Sequence, residues 1–80
     1  MAETRNEVRY QTVCSRGSGQ TVVYGLECLE DRQGSWVRLD LIEDVSTRGE
    51  NVLAMAERFT ALSLSPVHFR DVVMDRVAAL

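Results

Sequence analysis

The sequence predicts an α+β domain: a three-stranded antiparallel meander followed by an αα-hairpin packed on one face, in the order β-β-β-α-α. Three observations carry this. Between Glu7 and Val45 the chain alternates apolar and polar residues in three stretches parted by glycine-bearing links, which is the period of strands. From Val52 onward apolar residues recur three and four apart, the period of helices. Ser65-Pro66 interrupts that pattern and restarts it, so two helices are expected rather than one.

Residues 1–6 are polar and read as a frayed start. In the first strand, Glu7 to Ser15, Val8, Tyr10, Thr12 and Cys14 share a face opposite Arg9, Gln11 and Val13. Glycine-rich Gly17 to Gly19 suits a three-residue hairpin loop with one residue in the left-handed region. That loop sets Arg16 against Gln20, Cys14 against Val22, Thr12 against Tyr24, Tyr10 against Leu26 and Val8 against Cys28. The second strand, Gln20 to Asp31, is apolar on both alternations: Val22, Tyr24, Leu26 and Cys28 on one, Val23 and Leu29 on the other. A strand of that kind lies between neighbours, so it is placed in the middle.

Gln33-Gly34 supplies a two-residue turn with the positive φ that glycine tolerates. In the third strand, Trp36 to Val45, Val37, Leu39 and Leu41 are expected on the core face, and Trp36, Arg38, Asp40 and Ile42 on the other. Leu39 then opposes Cys28, and Leu41 opposes Leu26. On this register Arg9, Glu27 and Asp40 form a row across the outer face. Unpaired buried charge costs several kcal/mol, so the middle of that face is expected to be wet.

Thr47 and Glu50 have the spacing of a capping box. The helix they open is expected to reach about Leu62, burying Val52, Met55, Ala56, Phe59 and Leu62. The second helix, capped by Ser65 with Pro66 in its first position, runs to the C-terminus. Phe69, Val73, Val77 and Leu80 form its inner arc, flanked by Val67 and Met74.

Tyr24-Gly25-Leu26-Glu27, Asp44-Val45-Ser46-Thr47, and Leu64-Ser65-Pro66-Val67-His68 with Asp71-Val72-Val73 and Asp75 resemble a family of short bacterial proteins carried as a domain of unknown function. The resemblance covers about residues 22–76. It implies a compact soluble domain and no activity, substrate or cofactor. The arginine-rich strands and Cys14 are not features associated with that family.

Eighty residues make one domain, 1–80, near the lower limit for a self-sufficient core. A core of this size rarely supplies more than roughly 3–5 kcal/mol, so a disulfide, a metal or self-association is a natural supplement. Net charge is −3, and the nine basic residues, all arginine, are dispersed from Arg5 to Arg76. Neither nucleic acid nor a membrane surface is therefore an expected partner. No apolar run is long enough to span a bilayer, and no apolar signal region precedes the first strand, so the expected compartment is the cytoplasm with both cysteines reduced.

His68, Asp71 and Asp75 stand at i, i+3 and i+7, one imidazole and two carboxylates on one stripe. Such a stripe is a weak alternative site for a metal or ligand, and with it an enzyme. Its plain reading is the solvated side of an amphipathic helix, since no fourth ligand is in view. Cys14 and Cys28 lie too far apart in register for a bridge, and both read as buried apolar thiols. The Arg16-Gly17-Ser18-Gly19 loop leads into a strand rather than a helix N-terminus, so it is a turn and not a phosphate cradle. Glu43 and Asp44 point to opposite faces, and the single histidine has no triad partners. Arg70 falls inside the apolar arc, where it either snorkels, pairs with a carboxylate such as Glu43 or Glu57, or crosses a subunit boundary.

With no cofactor or metal expected, self-association remains. The functional expectation is a small cytoplasmic, non-enzymatic interaction or regulatory module forming a homodimer. Two surfaces are candidates: the outer sheet face through Val13, Val23, Leu29, Trp36 and Ile42, or the exposed edge of the first or third strand.

Overall fold

A computed structural model describes residues 7–16, 19 and 21–79. Strands β1 (Val8–Arg16), β2 (Val22–Arg32) and β3 (Ser35–Ser46) form one antiparallel sheet in the order β1-β2-β3. Helix α1 (Gly49–Ala61), a 3-10 turn (Pro66–His68) and helix α2 (Phe69–Ala79) follow. The expected β-β-β-α-α order is the observed one.

The turn between β2 and β3 is as expected. Gln33 (φ 55°) and Gly34 (φ 89°) occupy the left-handed region, and the Asp31 carboxylate accepts the Gly34 N–H at 3.0 Å. Arg32 faces Ser35, and the ladder continues through Leu29 opposite Arg38. There the expected register fails. A bulge leaves Leu39 unpaired, so Asp40 opposes Cys28, Leu41 opposes Glu27 and Ile42 opposes Leu26. One extra residue turns every following side chain over. Ile42 therefore joins the core, Leu41 moves to the outer face, and Asp40 leaves the expected charged row for the helix side.

A second bulge spans Gly25, between the pairs Tyr24↔Ser46 and Leu26↔Ile42. A Cβ on Gly25 would collide with the Ile42 and Glu43 carbonyl oxygens, so this close approach needs glycine. It returns Val45 to the core.

The β1–β2 register also differs from expectation, by two residues. Arg16 faces Val22, Cys14 faces Tyr24, Thr12 faces Leu26, Tyr10 faces Cys28 and Val8 faces Glu30. Residues 17–21 therefore make the connection instead of 17–19. Gly19 adopts the expected left-handed φ (70°), while Gly17, Ser18, Gln20 and the frayed start at 1–6 lie outside the described residues. A shift of two keeps each side chain on its face, so β1 still turns Tyr10 inward.

The helices lie on one side of the sheet. Tyr10, Leu26, Cys28, Ile42 and Val45 meet Val52, Met55, Ala56 and Phe59 of α1, and Phe69 and Val73 of α2. Helix α1 crosses diagonally: Gly49 packs against the Tyr24 ring, and Thr60 reaches the outer edge of β1 at Tyr10. Tyr10 is the joint between layers. Its ring stands edge-on to Phe59 (centroids 5.7 Å, 82°) and tilted to Phe69 (5.1 Å, 44°), and its hydroxyl donates to the Leu64 carbonyl at 2.7 Å.

The expected capping box does not form. Arg48 is the N-cap of α1 without a side-chain bond, and the Ser46 hydroxyl accepts the Arg48 N–H at 3.0 Å. Helix α1 ends with Ser63 at φ 53° and the Leu64 N–H on the Phe59 carbonyl, the closing pattern that puts Leu62 outside. Leu62 is 67% exposed rather than inward. Ser65 caps the 3-10 turn by backbone conformation alone, and α2 proper starts at Phe69. Phe69 and Val73 are fully buried as expected, but Val77 is exposed, and Leu80 lies outside the described residues.

Truncation should follow this pattern. Phe69→Ala is expected to cost about 3–5 kcal/mol in urea denaturation, enough to unfold a domain of this size, and Leu62→Ala less than about 0.5 kcal/mol. Gly25→Ala should cost about 1–3 kcal/mol through the crowded bulge. Equal losses at Phe69 and Leu62 would contradict the burial described.

Candidate functional site

The outer sheet face is built around Glu27, which is 6% exposed. The expectation of a wet centre is thus corrected. Gln11 donates to one carboxylate oxygen (2.9 Å) and Arg38 to the other (2.9 Å), so long side chains cover the charge and satisfy it. Arg9 lies over the Trp36 ring at 4.2 Å instead of beside Glu27, a cation–π contact. Of the five predicted interaction residues, Val13, Val23 and Leu29 are half-buried, Trp36 is 38% exposed, and Ile42 is in the core beneath the helices. The Gln11–Glu27–Arg38 bridge separates Val13 and Val23 from Leu29 and Trp36, so no continuous apolar patch results.

His68, Asp71 and Asp75 are all exposed, with His68 in the 3-10 turn and the two carboxylates on α2. Among the described residues no three histidine, cysteine or acidic side chains come together as a metal-holding group. Glu43 and Asp44 are exposed and serve the second bulge. Cys14 is exposed, contrary to expectation, whereas Cys28 is buried; both are free thiols.

Arg70 pairs within the chain. Its Nε donates to Asp40 Oδ2 (2.9 Å) and its Nη2 to Asp40 Oδ1 (2.6 Å), a two-pronged clamp that also reaches the Leu41 carbonyl (3.2 Å). Neither Glu43 nor Glu57 is its partner. Asp40 Oδ1 in turn accepts the Leu41 N–H at 2.8 Å. Both outward backbone groups of Leu41 are therefore occupied. With bulges on either side, the β3 edge is interrupted at Leu41, while Trp36 and Arg38 nearer the turn also direct their backbone groups outward.

The β1 edge is closed only in part. The Glu7 carbonyl accepts the Asp31 N–H, so odd residues of this strand bond inward and even residues outward. At Tyr10 the Thr60 side chain takes the edge: its Oγ1 accepts the Tyr10 N–H (2.9 Å) and lies 3.3 Å from the Tyr10 carbonyl. Beyond Tyr10 the diagonal of α1 moves inward. Thr12, Cys14 and Arg16 then present outward groups with no such cover among the described residues. An open groove of about 680 Å³ runs along the start of this strand as far as Thr12, with Leu53, Ala56, Glu57 and Thr60 as its α1 wall; neither Cys14 nor Arg16 lines it. Leu53 is half-exposed there, and the buried Thr12 hydroxyl has no hydrogen-bond partner among the described residues. Thr12, Leu53, Glu57 and Thr60 were not foreseen as site residues. Their meaning depends on which edge α1 crosses.

The remaining titratable chemistry is internal. Burial pushes the Tyr10 phenol above its ordinary value of 10.0, helped by the neighbouring Cys28 thiol. Burial also raises Cys28 from 9.0, with Asp40 and Glu30 adding to the rise and Tyr10 opposing it. Neither group has the lowered pKa of a nucleophile.

A family model described as a family of unknown function (DUF6514) matches residues 1–79, a longer span than the motifs noted above. No curated protein and no solved structure matches the chain.

Three measurements check the site. The folded state holds the Tyr10 and Cys28 protons that the unfolded chain releases in alkali. Their contribution to stability is complete below the ordinary thiol value of 9.0 and is lost as pH rises above it. The urea midpoint should fall above about pH 9, less steeply in a Tyr10→Phe, Cys28→Ala double variant; equal slopes would refute the assignment. At neutral pH a thiol reagent should modify Cys14 at once and Cys28 only on unfolding. Separately, adding a chelator should leave Tm unchanged, and a fall of several degrees would reinstate the His68, Asp71 and Asp75 stripe as a metal site.

Proposed function

Because the chain belongs to that family of unknown function, which brings no activity with it, we propose from its own geometry a non-enzymatic, self-associating protein-interaction module that takes an extended segment along the β1 edge. One observation carries the reading. Thr60 occupies the outward groups of Tyr10, while those of Thr12, Cys14 and Arg16 have no such cover among the described residues, and Thr12 borders the Leu53 groove. An added strand would bond to the backbone there and seat alternate side chains against α1, the mode known as strand addition. The β3 edge is a poorer acceptor, because Asp40 and Arg70 occupy it at Leu41 and bulges break its ladder.

Charge and side-chain pairing weigh against other classes. Arg9 and Arg38 are engaged by Trp36 and Glu27, and the net charge is −3, a poor basis for holding phosphate. No described helix is long and apolar enough to cross a membrane. Two free thiols suit a reducing compartment such as the cytoplasm.

Capture from the source cells with wild-type, Cys14→Pro and Leu53→Glu baits tests the reading. Proline at position 14 removes an outward N–H without breaking an inward bond, as edge positions allow. Proteins retained by the wild type should be lost by both variants while circular dichroism stays the same. Identical captures from all three baits would overturn the proposal.

A further inference from the structure

Resting on that strand-accepting reading, we infer that the segment taken is β1 of a second copy, paired antiparallel about a two-fold axis at Cys14. Cys14 then faces Cys14, Thr12 faces Arg16, and two three-stranded sheets become one of six strands.

The register follows from which edge positions are open. Outward groups belong to even residues, and Thr60 closes Tyr10. An axis at Thr12 would set Tyr10 against Cys14, and an axis at Val13 would set Tyr10 against Arg16; both displace Thr60. With the axis at Cys14 the pairs are Thr12–Arg16, Cys14–Cys14 and Arg16–Thr12. That arrangement uses the whole open run, with roughly six backbone bonds at two per pair, and disturbs nothing.

Charge favours the same arrangement. Thr12 and Arg16 have the same parity as inward-facing Tyr10, so their side chains lie on the helix side of the sheet. Arg16 of one copy thus arrives beside Thr12 of the other, at a groove whose rim carries Glu57. Symmetry makes that acidic–basic meeting twice. The guanidinium also brings donors to the Thr12 hydroxyl, which lacks a partner within the described chain. With the axis perpendicular to the sheet, both α1 helices lie on one side and flank the seam with their half-exposed Leu53 side chains.

Sedimentation equilibrium and copper–phenanthroline oxidation of the full chain test this. A reversible dimer is expected, along with a Cys14–Cys14 crosslink, because directly opposed residues stand about 5.5 Å apart at Cα, within disulfide reach. Buried Cys28 should stay reduced. Glu57→Arg and Arg16→Glu should each weaken the dimer about tenfold or more, and the double exchange should restore it. A monomer at high concentration overturns the inference, as does a dimer that fails to crosslink at Cys14 or ignores both charge reversals. If the chain is monomeric yet Cys14→Pro still abolishes capture of other proteins, only the second-copy assignment falls. If those captures are also unchanged, strand acceptance falls with it.

Discussion

Everything in this fold converges on the Tyr10 side chain. It is the one buried residue of β1, and it meets α1 through Phe59 and Thr60, the inter-helix link through Leu64, and α2 through Phe69. An aromatic ring supplies contact area to both helices, while its hydroxyl needs an acceptor once buried. The Leu64 carbonyl is that acceptor, left over where α1 ends and the chain turns at Ser63. The helix ending and the sheet core therefore satisfy each other.

That anchoring explains the unequal edges. Thr60 reaches the β1 backbone because Tyr10 holds α1 down at that point, and the diagonal then carries the rest of the helix away. On the far side, the Leu39 bulge swings Asp40 to the helix layer, where Arg70 grips it. Each margin of the sheet is thus blocked at one point, β1 at Tyr10 and β3 at Leu41, and the blocks come from side chains rather than from strand length. Edge protection of this kind is normal in β proteins; an unprotected stretch is the informative exception.

What could be read from residue types alone was whatever depends on near neighbours. The Gln33-Gly34 turn shows itself because few residues accept its backbone angles, and the inward faces of α1 and α2 show themselves through Val52, Phe59, Phe69 and Val73. The Leu39 bulge was invisible. Leu39-Asp40-Leu41-Ile42 is apolar on both alternations, so periodicity cannot choose between Leu41 and Ile42 as the core residue. The register that places Ile42 inward also puts Asp40 in the grip of Arg70, thirty positions later in the chain. Thr60 and Thr12 were opaque for the same reason, since a hydroxyl gains its role only once the strand beside it is known. The His68, Asp71 and Asp75 stripe was legible as a pattern, yet it lies in water with no gathered ligand set among the described residues.

The span of the Tyr10 contacts bears on how the chain is made. Its backbone partner is fifty residues downstream and its hydroxyl partner fifty-four. On the ribosome β1 emerges before the helices, and its aromatic anchor waits in water until α1 and the Leu64 segment have been translated. The two hairpins are local and can close early, but the layer above them docks only after α1 and the Leu64 segment have followed. Through that interval the sheet is a bare ribbon with both margins open, so nascent chains on one messenger are exposed to one another before any of them has a finished core.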